Sequence, residues 1–297
     1  MSIGAGLQRK LRSKSGAGLL LISPPALYAA ALLAVPLGAV LIMSFWTQTG
    51  IRDFDMTLTL AHYREAFADP LYRQLLLRSL GIAGAVTVVT VVLAFPVAYF
   101  VSFHVAPNRK ALWIFLITIP FWTSYLIRVF LWKVILGFNG VVNSGLQGIG
   151  LIDEPLSFLL YNVNAVVITL AHAYAPFAIL PIYVALEKID RSLLEAAQDL
   201  GENAVMRFLR VTLPLALPGV LAAILIVFIP TIGDYVTPRL VGGPDGLMIA
   251  NMIHTLFLRL NNAPLGAALS VIAMITVAIA ALALMLLTRW ITTGGKR

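Results

Sequence analysis

Six mostly apolar stretches free of Asp, Glu, Lys and Arg are long enough, or nearly so, to cross a membrane: 19–46, 79–103, 111–127, 158–186, 211–233 and 260–288. About 20 mostly apolar residues suffice to carry a helix across a hydrocarbon layer roughly 30 Å thick. The third stretch is short before Arg128, but apolar character resumes to Leu136. The fifth opens with Pro214 and Pro218, which puts the start of its membrane part near Pro218. The pattern predicts six transmembrane helices. Segment 47–78 sets Leu58, Tyr63, Phe67, Leu71 and Leu75 among charges and predicts an interfacial helix or helix pair. Stretch 138–157, rich in Gly and Asn, predicts a loop.

Composition supports a lipid-embedded chain. Charged residues make up 11% of it, against about 25% in average globular proteins, and the mean hydropathy is +0.93. That leaves too little charged surface for a water-exposed globule, which excludes a cytosolic enzyme and a disordered tail. There is no cysteine, hence no disulfide and no thiolate metal site. The net charge of +8 sorts by segment. The N-terminal tail, the 104–110 loop, the 187–217 segment and the C-terminal end hold 13 of the 21 basic residues and 5 acids. The remaining 8 basic and 8 acidic residues cancel, so the surplus lies on one side, which should be cytoplasmic and hold both termini. The surplus therefore reads as membrane topology and not as a nucleic-acid surface. The first span is too long, and too interrupted by Pro24, Pro25 and Pro36, to read as a cleaved signal sequence. The expected organisation is a basic tail 1–18, a first helix 19–46, the outer segment 47–78, a five-helix core 79–290 and a tail 291–297.

The longest internal polar segment, 187–217, carries the most specific pattern. It reads as helix, turn, helix. Ser192 followed by Glu195 makes a capping box, Gly201 suits the left-handed position that ends a helix, and a second short helix over 203–210 runs to Pro214. Ala196 and Ala197 leave a low-relief surface for another protein. The run Glu195-Ala196-Ala197-Gln198-Asp199-Leu200-Gly201, then nine residues, then Val211-Thr212-Leu213-Pro214, resembles the EAA loop of binding-protein-dependent ABC importer permeases. The family usually has Ile where this chain has Val211. The resemblance implies a type I importer permease fold and a coupling surface for an ATP-hydrolysing subunit formed by Glu195, Ala196, Ala197, Asp199, Gly201, Leu213 and Pro214. A second stretch, Phe228 through Pro238 and on to Asp245, is similar to spermidine/putrescine importer permeases, as is Trp122-Thr123-Ser124-Tyr125-Leu126-Ile127-Arg128. The likeness covers most of the chain from about residue 60.

The residues assigned to a substrate pathway are Trp122, Tyr125, Arg128, Asp234 and Tyr235. Counted along ideal helices, Arg128 and Asp234 lie about 26 and 24 Å from the cytoplasmic ends of their spans, at roughly 1.5 Å per residue. They are expected either to pair or to line one cavity; the alternatives are snorkelling for Arg128 and a helix cap for Asp234. Phe121, Tyr125, Arg128 and Trp132 recur at helical spacing as one stripe, whose aromatic rings could hold amines or act as interfacial anchors. Asn162 and Asn164 are expected to hydrogen-bond between helices. The four scattered histidines show no metal-ligand spacing. No G-x-x-x-x-G-K-[ST] occurs, so ATP and Mg²⁺ would be bound by partner subunits, and no catalytic residue is expected here.

The expectation is an all-α inner-membrane permease of six spans. It would work with a second, identical or different permease, two ATP-binding subunits and a periplasmic solute-binding protein. The resemblance implies import of a small organic solute, polyamine first and another cationic or zwitterionic compound second, by alternating access. An ion-coupled secondary transporter is the alternative of another class.

Overall fold

The computed structural model describes residues 14–294 apart from Arg52 and Leu160. The expected basic tails, including Arg9, Lys10 and Arg12 and, at the other end, Lys296 and Arg297, lie outside the described residues. Among the described residues, six helical segments are long and apolar enough to cross a membrane. The chain begins with α1 (Lys14–Met43), a minimal hairpin of β1 (Thr47–Gln48) and β2 (Phe54–Asp55), and α2 (Ala61–Ala68). The long α3 (Pro70–Phe103) follows, then α4 (Pro107–Thr118), α5 (Tyr125–Leu136) and α6 (Val141–Gly148). After α7 (Val163–Glu187) come the short α8 (Arg191–Asp199) and α9 (Ala204–Arg207), and then α10 (Leu213–Ile232). The chain ends with α11 (Val236–Val241), α12 (Ile249–Leu258) and α13 (Ala263–Gly294).

Helices α3, α7 and α10 form the centre, and their meeting surfaces are built from small residues. Ala83, Ala94, Ala98, Ala165, Ala178, Ala216 and Ala223 are all almost fully buried. Larger side chains such as Val86, Leu170, Ile182, Leu186 and Val227 fill the space between these contacts, whereas Leu77, Val88, Val92, Leu93, Ile275, Ile279 and Leu282 are exposed. Lipid tails solvate leucine as well as a protein interior does, so burying bulk gains little; close approach of helix backbones gains dispersion contacts instead. Four buried hydroxyls are satisfied within their own helices. Ser79, Thr87, Thr90 and Thr231 donate to the carbonyls of Leu75, Ala83, Val86 and Val227 at 2.6–2.7 Å.

Gly219 marks the tightest of these approaches. A Cβ built there would lie 2.5 Å from both the Ala185 Cβ and the Pro181 carbonyl oxygen, and 3.2 Å from the Ile182 Cα. A methyl group must therefore wedge α7 from α10. Gly219→Ala is expected to lower stability by about 1–3 kcal/mol, the usual cost of overpacking. Gly81→Ala, on α3 with open space around it, should be neutral or mildly stabilising. Thermal melting of the two variants in detergent checks the contrast.

Lys110 ties one end of the bundle. Its Nζ donates to the Ser102 carbonyl at 2.8 Å and to Glu187 Oε1 at 2.5 Å, joining α3, α4 and α7. At the other end Arg78 reaches the Pro244 carbonyl at 3.3 Å and Ile249 N–H donates to Ser79 Oγ at 2.8 Å, holding the 233–249 turn against the start of α3.

Four expectations require correction. The outer segment is not separate from the next helix: Pro70, pre-set for a first helical turn and capped by Asp69 through Leu71 N–H at 2.8 Å, starts α3 well before residue 79. Stretch 138–157 includes a helical piece, α6, besides its turns. The third span is not one helix. α4 passes into a 3₁₀ turn at Ile119–Trp122, Thr123 and Ser124 are extended, and α5 starts afresh. Pro120 has no N–H to continue the ladder, and the Pro120 carbonyl is taken by the Thr123 N–H and hydroxyl. Finally, Asn162 and Asn164 do not bridge helices. Asn162 caps α7 and both amides donate to the preceding turn, at Ser157 and Phe158.

Candidate functional site

The hairpin between α7 and α10 is built from local capping chemistry. Its first helix, α8, is capped not by Ser192 with Glu195 but by Asp190, whose Oδ1 accepts the Ser192 N–H at 3.0 Å. Asp190 comes two residues earlier and is already extended, which leaves Ser192 inside the helix. That bond stabilises the ionised carboxylate and holds Asp190 below the ordinary aspartate pKa of 3.8. A depressed folded-state pKa contributes stability that is complete above the unfolded value and is lost as pH falls through the folded one. Acidification below about pH 4 should therefore fray α8, and Asp190→Asn should remove the dependence while keeping a cap. Backbone hydrogen exchange at Ser192 between pH 3 and 6 reads the difference.

The helix ends on Gly201 at φ +84, where a Cβ would be strained. The Gly201 N–H donates to the Gln198 carbonyl at 2.9 Å and the Glu202 N–H to the Ala197 carbonyl at 3.0 Å. This crossed pair is a Schellman closure, and it reverses the chain within two residues. Asn203 caps α9 through Met206 N–H at 2.9 Å. Two side-chain bonds then brace the hairpin: Arg207 to Gln198 at 2.8 Å and Arg210 to Glu202 at 2.6 Å.

The second arm does not stop before the next span. Phe208–Thr212 form a π-turn that runs straight into α10 at Leu213. Pro214 can donate nothing to the carbonyl four residues back, and the backbone widens just ahead of it. The Phe208 ring packs edge-on against Phe95, with centroids 5.5 Å apart, and near Tyr99. The hairpin is thus joined to α10 by continuous helical backbone and to α3 by an aromatic contact.

Of the residues assigned to coupling, Glu195, Ala196 and Asp199 are exposed, whereas Ala197 is buried at 8% exposure. The expectation that both alanines present a surface is therefore corrected: one helical step turns Ala197 inward. Leu193, Leu200, Val205, Met206 and Leu209 are exposed around the same hairpin. The motif could not flag these apolar residues, because at single positions they read as ordinary helix formers.

At the far end of the bundle, Asp234 sits at the corner between α10 and α11. Its Oδ1 accepts the Val236 and Thr237 N–H groups at 2.9 and 3.3 Å, and its Oδ2 accepts the Tyr125 hydroxyl at 2.5 Å. The Tyr125 oxygen also lies 2.7 Å from Thr237 Oγ1. Asp234 is the cap of α11 and a latch onto α5 at once. Among the described residues it makes no ion pair with Arg128 within 4 Å, so that pairing is corrected. The two instead flank Tyr125: the Arg128 guanidinium carbon is 5.9 Å from that ring, and Nη1 reaches the Ala173 carbonyl at 3.4 Å. The stripe on the third span is also shorter than expected. Tyr125, Arg128 and Trp132 share α5, while Phe121 lies across the break and packs on Phe177, with centroids 4.4 Å apart. Trp132 Nε1 donates to His172 Nδ1 at 3.1 Å. Trp122, at the break, is 80% exposed, and Tyr235 is 42% exposed and stacks on His254. Thr237, His172 and Asn251, whose amide holds the Tyr235 carbonyl at 2.7 Å, were missed from sequence. Only the Asp-x-x-Thr spacing of a helix cap hinted at the first.

Residues 27–294 match the family described as binding-protein-dependent transport system inner membrane component. The chain belongs to that family. It is a multi-pass inner-membrane permease of all-α fold. A spermidine/putrescine transport system permease protein PotB of Haemophilus influenzae is 39% identical over 237 residues, covering 80% of this chain and 82% of the relative. The protein of that name in Escherichia coli is 37% identical over 247 residues, covering 83% and 87%. An Escherichia coli inner membrane ABC transporter permease protein, YdcU, is 35% identical over 243 residues, with 76% of each chain covered. In fold the permease is similar to a chain of a bacterial ABC transporter that imports alginate, with TM-score 0.75 and 18% identity over 98% of this chain and 100% of that one.

Proposed function

We propose that this permease imports polyamines, driven by ATP hydrolysed in partner subunits that grip the 188–212 hairpin from the cytoplasm. The carrying observation is the hairpin itself. It is braced by two salt-bridge or amide contacts, presents Glu195, Ala196 and an apolar rim, and continues without a joint into α10. A push on such a handle moves a transmembrane helix as a rod, which is what converting one packing of a bundle into another requires. The basic surplus on this side supports the cytoplasmic assignment. The spermidine/putrescine permeases of similar sequence support the solute class, and the alginate transporter solved with its periplasmic protein supports a binding-protein partner.

Within this reading the pathway residues divide into two groups. The exposed rings of Trp122 and Tyr235 can meet an amine or methylene chain by cation–π and apolar contact. Asp234, Tyr125 and Arg128 hold the α5–α11 corner in place, since the Asp234 carboxylate is occupied by groups of this chain. The interruption at 119–124 fits a pathway wall, because irregular backbone at membrane depth needs protein or an aqueous cavity around it. A second permease would complete the pore, and two ATP-binding subunits would hold ATP and Mg²⁺. Reconstitution with the cognate ATP-binding subunits, second permease and binding protein tests the proposal. ATP-dependent accumulation of labelled putrescine or spermidine is the expected result. Transport that ignores ATP, or a binding protein that retains only non-amine solutes, overturns it.

A further inference from the structure

Three arginines converge on one cavity of about 460 Å³ near the end of the bundle opposite the hairpin. Arg78 comes from α3, Arg239 from α11 and Arg259 from the end of α12. His254, Gln74, Asn251 and Thr255 add polar atoms, and no carboxylate lines the space. Its apolar side is formed by Leu71, Leu75, Leu247, Met248 and Met252. Arg78 is half-buried and bonded to the Pro244 carbonyl, whereas Arg239 and Arg259 are exposed. Among the described residues none of the three makes a salt bridge.

Three like charges around one concavity repel one another unless an anion neutralises them. The position along the chain identifies the level in the membrane. Arg78 is the last charge before the charge-free run 79–103, and Arg259 the last before 260–288. Both therefore stand where two crossing helices leave the hydrocarbon. Guanidinium groups match phosphate oxygens in a fork geometry, and the leucine and methionine wall offers a surface to glycerol and the first acyl carbons. A polyamine is excluded by the sign of the charge, and a lone side-chain carboxylate would leave the apolar wall unused. We infer that this cavity binds the phosphodiester headgroup of an anionic phospholipid, such as phosphatidylglycerol, in the leaflet at that end of the bundle.

The test is native mass spectrometry of the full-length chain released from nanodiscs containing equal amounts of phosphatidylglycerol and phosphatidylcholine. The expected result is selective retention of phosphatidylglycerol, weakened roughly five-fold for each of Arg78→Gln, Arg239→Gln and Arg259→Gln, the effect of one basic residue at a charged membrane surface. Arg→Lys at the same positions should keep part of the retention, since the charge stays and the fork is lost, and Arg73→Gln, on the same helix but outside the cavity, should change nothing. Equal retention of the two lipids, or retention indifferent to the glutamine substitutions in folded protein, overturns the inference. So does displacement of the lipid by inorganic phosphate at comparable concentration, which would identify a free-anion site. Glutamine variants that lose only the binding protein would assign the arginines to a protein partner and likewise overturn it.

Discussion

Ala196→Arg is expected to abolish ATP-driven uptake and co-purification with the ATP-binding subunit while the chain still folds. Ala196 is exposed on α8, between Glu195 and the buried Ala197, so a long charged side chain there meets only solvent in the isolated permease. In a docked complex it occupies the low-relief face where another protein would sit. Ala197→Arg must behave differently. That side chain is buried, and a charge placed there without a partner costs several kcal/mol, so folded protein itself should be lost. The two substitutions are one residue apart and chemically identical, which makes the pair diagnostic. Size-exclusion profile, subunit pull-down and uptake, measured together, separate a lost interface from a lost fold. Undiminished ATPase binding by folded Ala196→Arg protein would remove the hairpin from the coupling role.

The second large effect is expected at the outer corner. Asp234→Ala removes the acceptor of the Val236 and Thr237 N–H groups that caps α11 and leaves the Tyr125 hydroxyl without its carboxylate acceptor. A lost cap costs about 1 kcal/mol, and a buried polar group stranded without its partner about 1–3 kcal/mol more. The latch alone is isolated by a double-mutant cycle of Tyr125→Phe and Asp234→Asn. A coupling of roughly 1.5–3 kcal/mol in thermal unfolding is expected for a bond to a carboxylate. The corresponding cycle of Arg128→Gln with Asp234→Asn should be close to additive, because the two side chains make no ion pair. Strong coupling in the second cycle and none in the first would reverse the assignment. Trp122→Ala, by contrast, exposes no buried group, so a loss of uptake there without a loss of stability would identify a pathway contact.

What was legible in advance follows the range of the interactions. Asp190, Gly201 and Asn203 act on backbone groups within five residues, and the turn they make could be read from the chain, although the cap was placed two residues late. The break in the third span was missed because Pro120 lies inside an uninterrupted apolar run. Hydropathy counts transfer energy per residue, and a helix and a helix with a non-helical step in it have nearly the same transfer energy. Helix rise left Arg128 and Asp234 either pairing or lining one cavity; the lack of an ion pair between them was not legible, since Tyr125 stands between them.

By itself the amino-acid sequence determined the six apolar segments and the capped polar hairpin before the fifth span, because each depends on local composition or on backbone bonds a few residues long. Only the tertiary structure decided that Ala197 faces inward, that Tyr125 reaches Asp234 across 109 positions of chain, and that three arginines from three helices share one cavity. Those juxtapositions depend on the rotation of each helix about its axis. In lipid that rotation is set by how closely small residues such as Gly219 and Ala185 let neighbouring backbones approach, a property of pairs of surfaces and not of either one alone.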